Sequence, residues 1–556
     1  MQRVITAAGM RELDRLTTAR FSTPSLLLME AAASASVRAI AERVSGGLSG
    51  KRARILCGRG NNGGDGAALA RALWLRGARP DVVLFGRVED TKGDARINFE
   101  MAQRLSSFEA GSHTQPPPLS FIECVDLADW EEIAAHSYDI IVDALFGTGL
   151  TRPLDGVHRQ VVEHIALLRR ARERAEGEYP LIVSLDVPSG LNADSATPIG
   201  EVVQADLTIT FTAPKAANVL PPASHYNGEL VIAHIGSPPV LLEAAESQLF
   251  LTEEEDAREW LVTTRYLPGS YKNTHGHALI IAGSRGMTGA AVLCGKAAMR
   301  AGAGLVTIAA SATAQPVVAA RAMPEIMTAS LPETTAGAIS LEAIEQVMQL
   351  AERASVVAIG PGLSHEEEST RSFVREVVKR RTTPLLIDAD GLNALSPWPV
   401  ELRGSQELPI ILTPHPGEML RLMGTDEKEA LADSVRAARE FSTAHELILV
   451  LKGARTLVAA PDGRVFVNPT GNPGLGTAGA GDTLTGIIAG FLAQAFSAPD
   501  GEQRNALSAT IAAVYVGGLA GDISAGKRGM RSLVASDISE SLSEAICALD
   551  PTGELP

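Results

Sequence analysis

Two periodicities alternate along the chain. Short apolar runs, such as ARILC (Ala53–Cys57), DVVLF (Asp81–Phe85), DIIV (Asp139–Val142) and LIVSL (Leu181–Leu185), read as buried strands. Segments with helical spacing stand between them, AALARALWL (Ala67–Leu75) among them. Strand, loop, helix and strand in that order predict a parallel, doubly wound sheet. Residues 1–50 read as two helices, with Thr23 expected as the N-cap of the second and Pro24 at its first helical position.

The series closes at NGELVIAHIGSPPV, where Pro238 and Pro239 mark a boundary. The acidic stretch EAAESQLFLTEEEDAREWL then reads as a connector. From about Tyr266 the alternation starts afresh with HALIIAGS, LVTIAA, SVVAIGPGL, PLLIDADGLNAL, PIILTPHPGEM and LILVLKGARTLVAA. The expected organisation is α/β throughout, with domains over 1–240 and 266–556 and a connector over 241–265. A chain of 556 residues is in any case too long for one ordinary core. No internal sequence repeat relates the halves.

Composition narrows the partners. Hydrophobic residues at 45% and charged residues at 21% suit a soluble globular protein, and 52 glycines suit turns at strand ends. A formal net charge of -16 with no basic face argues against nucleic acid. The run LRRARER (Leu168–Arg174) reads as a solvated helix face, and SHTQPPPLS as a surface loop. Four scattered cysteines lack zinc or disulfide spacing and read as reduced thiols, which predicts a cytoplasmic protein. The N-terminus lacks a signal-peptide pattern, and the apolar run Leu484–Phe496 is too short to span a bilayer, so no membrane partner is expected.

Chemistry gathers at the strand ends, where open parallel sheets bind ligands. In the first half CGRGNNGGDG presents Asn61, Asn62 and Asp65, DALFG presents Asp143, and DVPSG presents Asp186 and Ser189. In the second half the glycine-rich NPTGNPGLGTAGAGD runs into an apolar helix expected to start near Thr483. Amides at a helix N-terminus form an anion site. Asp482, placed beside a bound phosphate, is suited to act as general base toward a hydroxyl attacking a phosphoryl group. A lone Gly-Asp would read as a helix cap; the upstream glycines favour catalysis.

Gly479, Ala480, Gly481 and Asp482 resemble the Gly-x-Gly-Asp motif of the ribokinase-like fold. The ordered series SYKNTHGHALIIAGSRGMTGAA, GPGLS, DADGLNAL, LTPHPGEM, LKGARTLV and TGNPGLGTAGAGD resembles the ADP/ATP-dependent NAD(P)H-hydrate dehydratases and not the sugar kinases. CGRGNNGGDG, DALFGTGL, DVPSGLNAD, ADLTITFTAPK and NGELVIAHIG resemble the NAD(P)H-hydrate epimerases. The fused order, over essentially the whole chain, is that of bifunctional NAD(P)H-hydrate repair enzymes. The resemblance implies an N-terminal Rossmann-like doubly wound sheet and a C-terminal ribokinase-like α/β/α domain.

It also implies roles. Asp186 would move protons while the R- and S-forms of hydrated NADH or NADPH interconvert, and K⁺ would sit on Asn62, Asp143 and Ser189. Substrate contacts carry over to Asn61, Asn62, Gly63, Gly64 and Asp65, and to Gly147, Thr148, Gly149, Leu150, Thr151, Arg152 and Pro153, with Arg152 suited to pair with phosphate. In the second domain Ala290, Gly362 and His415 match substrate-side positions, with a helix-capping role the alternative for His415. Lys452, Gly453, Ala454, Arg455 and Thr456 match a nucleotide-binding segment, Lys452 alternatively being a surface lysine at a strand end. Gly479 and Gly481 would steady phosphoryl charge, Glu418 would help place Mg²⁺, and Asp482 would be the base. ADP is the expected co-substrate, with ATP the alternative, and a homo-oligomer is expected.

The chain departs from the family pattern at Arg59, Asn192, Thr212, Ser364, Ala478 and Ala480, none of them a proposed catalytic group; Thr212 and Ser364 stand where glycine is common. Two other readings stay open at this point. One is a vitamin or sugar kinase fused to a nucleotide-binding domain; the other is a non-enzymatic scaffold that binds nucleotide-like ligands.

Overall fold

The computed structural model describes residues 1–107, 119–134, 137–172, 179–497 and 505–550. Most of SHTQPPPLS and the end of LRRARER lie outside them. Contacts divide the chain into two compact units, Gln2–Ser247 and Gln248–Pro556.

In the first unit the described residues form seven parallel strands: β1 (Arg52–Cys57), β2 (Arg79–Phe85), β3 (Ser120–Cys124), β4 (Ile140–Ala144), β5 (Leu181–Leu185), β6 (Leu207–Phe211) and β7 (Glu229–Ala233). Their order is β3-β2-β1-β4-β5-β6-β7. The chain turns back between β1 and β4, and that reversal opens a crevice at the carboxyl edge. The sheet is apolar on both faces, as continuous apolar strands require. Ile55, Val82, Val142 and Val183 pack on one side with helices Ser25–Ala41, Asn61–Trp74 and Gly93–Ser106. Leu56, Val83, Ile141 and Ile182 pack on the other with Trp130, Val161 and Ile165. The helix expected to be capped by Thr23 starts at Ser25 instead, with Pro24 just outside it in extended conformation and no side-chain cap.

The second unit holds β8 (Leu249–Leu251), β9 (His277–Ile281), β10 (Leu305–Ser311), β11 (Met327–Leu331), β12 (Val356–Ile359), β13 (Leu385–Ile387), β14 (Ile410–Leu412), β15 (Ile448–Leu451), β16 (Leu457–Ala459) and β17 (Val465–Val467). They lie in the order β8-β17-β16-β15-β14-β13-β12-β9-β10-β11. The stretch from β15 to β11 is parallel, and β16 is antiparallel to both its neighbours. Here the reversal falls between β9 and β12. Helices Thr288–Arg300, Ala480–Ala495, Ala506–Arg528 and Ala535–Leu549 share one core with Ile280, Ile308, Ala358 and Val450 of the sheet. Among the described residues, Ala506–Arg528 is the helix long and apolar enough to cross a membrane, and 72% of its most apolar window is buried within this unit.

The expected connector is not a linker. Residues 241–247 belong to the first unit and 248–265 to the second. β8 pairs with β17, and helix Glu254–Thr263 buries Ala257, Trp260 and Leu261. Trp260 stacks on Phe491 with ring centroids 4.4 Å apart. The apolar positions 257, 260 and 261 have helical spacing inside an acidic stretch, and the acids outnumber but do not interrupt that stripe.

Candidate active sites

The chain leaves β1 at Cys57, crosses Gly58–Gly60 and enters helix Asn61–Trp74. NNGGDG, expected as loop, therefore forms the first turns of a helix. Its glycines are packing positions. A Cβ on Gly63 would stand 1.8 Å from the Gly58 carbonyl oxygen, one on Gly64 2.7 Å from Ala95 Cα, and one on Gly66 2.7 Å from Ala144 Cβ. Gly63 and Gly64 press the helix onto the loop and its neighbours, outside the cavity lining. Asn61, Asn62 and Asp65 do line a cavity of about 590 Å³ at the strand reversal, together with Gly147, Thr148, Gly149 and Asp186. Leu150 packs into the core, while Thr151, Arg152 and Pro153 are exposed outside the lining.

Asp186 follows β5 with φ 66°. Such a conformation costs a non-glycine residue about 1–2 kcal/mol and persists where the surroundings fix it. They do here. Its amide donates to Ile209 O at 2.7 Å, its carbonyl accepts from Asn218 Nδ2 at 3.2 Å, and its Oδ1 accepts from Lys215 Nζ at 2.5 Å. Lys215 is fully buried, and its Nζ also donates to Thr210 Oγ1 at 2.9 Å and Phe211 O at 3.1 Å. All three ammonium protons have acceptors, which a buried lysine requires. Asp14, from helix Ala7–Phe21, lines the same cavity. Burial pushes its carboxyl up to about 6, with Asp186 adding to the rise and Lys215 opposing it. Burial, then Asp186 and Asp14, hold Asp65 well above the usual carboxylate range. His158 lies in the same wall, kept below its ordinary value by burial and by Arg59.

Beside this cavity Asp143 is buried within β4 and ringed by neutral donors: Ser184 Oγ at 2.9 Å, Ser189 Oγ at 2.6 Å, Ser189 N at 2.8 Å and Leu145 N at 3.3 Å. Burial raises its carboxyl and these bonds oppose the rise. Ser189 Oγ also accepts from Phe146 N at 3.0 Å. Asn62 Nδ2 is buried without a partner, and a Cβ on Gly147 would stand 3.3 Å from Asn62 Oδ1 and 3.1 Å from Asp186 Oδ2. One buried carboxylate among serine hydroxyls and the Asn62 side-chain oxygen is an oxygen-donor set of low charge, the kind that suits a weakly charged cation.

The second centre is built from successive strand ends. After β12 the chain passes Gly362, whose carbonyl accepts from Ser284 Oγ at 2.9 Å; a Cβ there would stand 3.1 Å from Ala290 Cβ. Ala290 and Gly362 therefore meet at the strand reversal. Asp388 follows β13, His415 follows β14, and Lys452 follows β15. Lys452 is no surface lysine. Its Nζ donates to Asp388 Oδ1 at 2.9 Å and stands 3.8 Å from Glu418 Oε2. Burial works against its charge, but Asp388 and Glu418 hold its pKa above the ordinary lysine value. Asp388 is buried, and its Oδ2 accepts from Thr485 Oγ1 at 2.7 Å.

Thr485 lies in helix Ala480–Ala495, whose first turn carries Asp482. Gly479 caps that helix at φ 85°, and a Cβ on it would stand 2.5 Å from Leu293 Cδ1. A Cβ on Gly481 would stand 3.4 Å from Lys452 Nζ, so the anion-binding turn and the lysine converge. Burial raises Asp482 to about 6; Asp388, Asp390 and Glu418 add to the rise and Lys452 opposes it.

His415 takes the capping role: its Nδ1 accepts from Gly417 N at 3.0 Å and Glu418 N at 3.3 Å, which leaves Nε2 as the donor. Glu418 returns the cap, its Oε2 accepting from His415 N at 2.8 Å. Among the described residues no cluster of three or more acidic, histidine or cysteine side chains is arranged to hold a metal. Of the nucleotide segment, Gly453 and Ala454 are exposed, Arg455 donates to the Pro469 carbonyl, and the Thr456 carbonyl accepts from Asn468 N at 2.9 Å. Asp14, Lys215 and Asp388 had not been singled out in sequence. Asp14 had a signal: positions 10, 13, 14 and 17 form the inward stripe of its helix, and a carboxylate on that stripe is out of place.

Two crevices, each at the strand reversal of its own parallel sheet and each centred on a carboxylate beside an ion-paired lysine, define an α/β enzyme with two separate centres. A family model for NAD(P)H-hydrate dehydratase matches residues 278–544, and one for the YjeF-related protein N-terminus matches 25–217. The bifunctional NAD(P)H-hydrate repair enzyme of Moorella thermoacetica is 39% identical over 543 residues, 97% of this chain and 96% of its own. That of Escherichia coli is 32% identical over 494 residues, 88% of this chain and 84% of its own. Among solved structures, the ADP/ATP-dependent NAD(P)H-hydrate dehydratase from Bacillus subtilis, co-crystallised with ATP and Mg²⁺, is 31% identical with a TM-score of 0.46, covering 54% of this chain and 99% of its own. The chain belongs to the bifunctional NAD(P)H-hydrate repair enzyme family, with an epimerase unit followed by a dehydratase unit.

Proposed function

We propose that the first unit interconverts the R- and S-forms of hydrated NADH and NADPH at Asp186, and that the second returns the S-form to the intact cofactor at Asp482. The hydrate carries its hydroxyl on a carbon bonded to the ring nitrogen. Loss of that hydroxyl as water gives an iminium, and water can return to either face. Asp186 moves the proton, and the Lys215 ion pair fixes its carboxylate. Asn62, Asp143 and Ser189 would hold K⁺, which when bound supplies the positive charge that buried Asp143 lacks. Asn61, Asp65 and the 147–149 turn surround the nicotinamide ring.

In the second unit hydroxide is a poor leaving group and phosphate a good one. Asp482 takes the hydroxyl proton as the oxygen attacks the terminal phosphorus of ADP, or of ATP. The amides of Gly479 and Gly481 and the Lys452 ammonium meet the phosphoryl charge. The ring nitrogen then expels phosphate. Mg²⁺ would arrive on the nucleotide phosphates, as it does where proteins offer no full cage. Lys452 is read as a phosphate contact, and the remainder of the 452–456 turn as the nucleotide's support. The protein is placed in the cytoplasm as a homo-oligomer, the first on the strength of its reduced buried thiols and the second on the resemblance alone.

The observation that carries this reading is the meeting of Asp482, Lys452 and the Gly479–Gly481 turn at one helix N-terminus. The test follows NADH absorbance in mixed hydrates with ADP or ATP. Recovery of NADH with at least one nucleotide is expected, and Asp482→Asn abolishes it. A stable phosphorylated vitamin or sugar as product, without NADH recovery, would sink the proposal.

A further inference from the structure

We infer that Asp14 is a second acid–base residue of the epimerase unit, reaching the hydrate from helix Ala7–Phe21 while Asp186 reaches it from the end of β5. The inference rests on the reading of that unit as an epimerase. Inversion at the hydroxyl-bearing carbon demands two proton transfers. The departing hydroxyl must gain a proton on one ring face, and the returning water must lose one on the other. One carboxyl on one wall serves one face, and reactions that invert through a cationic ring divide the work between two carboxyls.

The cavity offers that second carboxyl. Helix Ala7–Phe21 is fixed above the Thr212–Lys215 turn by Ile5, Met10 and Leu13, which pack with Ala213 and Leu241. Its first amide, Ala7 N, donates to Asp194 Oδ1 at 2.7 Å, so the segment that follows Asp186 also holds the helix. Asp14 thereby reaches the cavity that Asp186 and Lys215 line. Its Oδ1 is buried and unpartnered. A carboxyl kept in that state by packing, with no hydrogen bond to repay its burial, is what a proton donor awaiting its substrate resembles.

The carbon–oxygen bond breaks with its electron pair going to oxygen, the Asp14 proton completes a water molecule, and the ring nitrogen lone pair forms the iminium. A water attacks the other face and gives its proton to Asp186. The opposite epimer results, with Asp14 ionised and Asp186 protonated. That state runs the reverse conversion directly, or exchanges protons with solvent.

The test measures R-to-S interconversion on the full chain. Asp14→Asn should lower kcat by about 100-fold or more with KM within threefold, since general acids contribute about 10²–10⁴-fold. Dehydration of the S-form with ADP and the melting temperature should stay at wild-type values. Asp14 must be protonated to act and titrates at about 6, so wild-type kcat should fall as pH rises through that region. Asp65, Arg11, Arg59, Asp94, His158 and the Lys215–Asp186 pair also face the cavity, so Asp14→Glu assigns the limb. It should restore part of kcat and move the limb. A limb that stays in place with Asp14→Glu, or an Asp14→Asn rate within threefold of wild type, overturns the inference. If Asp186→Ala also interconverts the epimers at the wild-type rate, the epimerase reading fails with it; if Asp186→Ala is slow and Asp14→Asn is not, this inference falls alone.

Discussion

Asp482 accepts a proton only while ionised, and burial beside Asp388 holds its pKa near 6. Dehydration kcat should therefore climb as pH rises through 6 and then level. Asp388 holds Lys452 through its Oδ1. Asp388→Asn removes the charge that raises Asp482, so the acid limb should move to lower pH. The freed Lys452 should cost about 10–100-fold in kcat, the scale of a misplaced catalytic group. Thr212 and Ser364, where the resemblance leads one to expect glycine, adopt φ 65° and 67°. The glycine preference is thus conformational. Ser364→Gly should raise stability by about 0.5–1 kcal/mol, the relief of left-handed strain less the entropy of glycine, read from a denaturant midpoint. The placement of Asp186 after a strand and of Asp482 at a glycine-rich helix start was legible because motif and element end coincide. Lys215 and Asp388 were not, because a lysine or aspartate becomes part of a site only through partners distant in sequence: Asp186 lies 29 residues from Lys215, and Lys452 lies 64 from Asp388.

Helix Asn61–Trp74 shows why element boundaries escaped the sequence. Its first turns hold three glycines, each about 1 kcal/mol worse than alanine in a helix, so local preference reads them as loop. Close packing reverses that preference. The same device recurs in the second unit, where a Cβ on Gly486 would stand 2.1 Å from Cys294 O and one on Gly490 2.7 Å from Ala298 O. These glycines let helices Thr288–Arg300 and Ala480–Ala495 press together beneath Asp482. Gly486→Ala should destabilise by about 1–3 kcal/mol, as overpacking does, and lower the dehydratase rate with it. The central strands were legible because both faces of each sheet are covered, which leaves continuous apolar runs. The units divide at 247/248, beyond the Pro238–Pro239 pair, which opens a short helix of the first unit, and helix Glu254–Thr263 was masked by its own acids.

At the scale of the molecule, two chemistries share a chain with their own sheets and carboxylates. The oxygen donors proposed for K⁺, Asn62, Asp143 and Ser189, all lie in the first unit. Replacing K⁺ by Li⁺ at constant ionic strength should slow epimer interconversion several-fold and leave dehydration of purified S-hydrate unchanged. The two-unit α/β plan was readable from the restart of strand–helix alternation, whereas the exact strand order was not, since pairing partners are set by packing.

The cysteines have a use unconnected with catalysis. Cys57 and Cys124 are buried in the first unit and Cys294 in the second, while Cys547 is exposed. Burial pushes the Cys57 and Cys294 thiols far above their ordinary value and Cys124 to about 11. Thiolate is the reactive form, so the native protein should take up one equivalent of an alkylating reagent quickly, at Cys547. The other three become accessible only when their own unit opens. Labelling followed by mass spectrometry therefore gives each half an internal clock for its breathing, written into the unmodified chain.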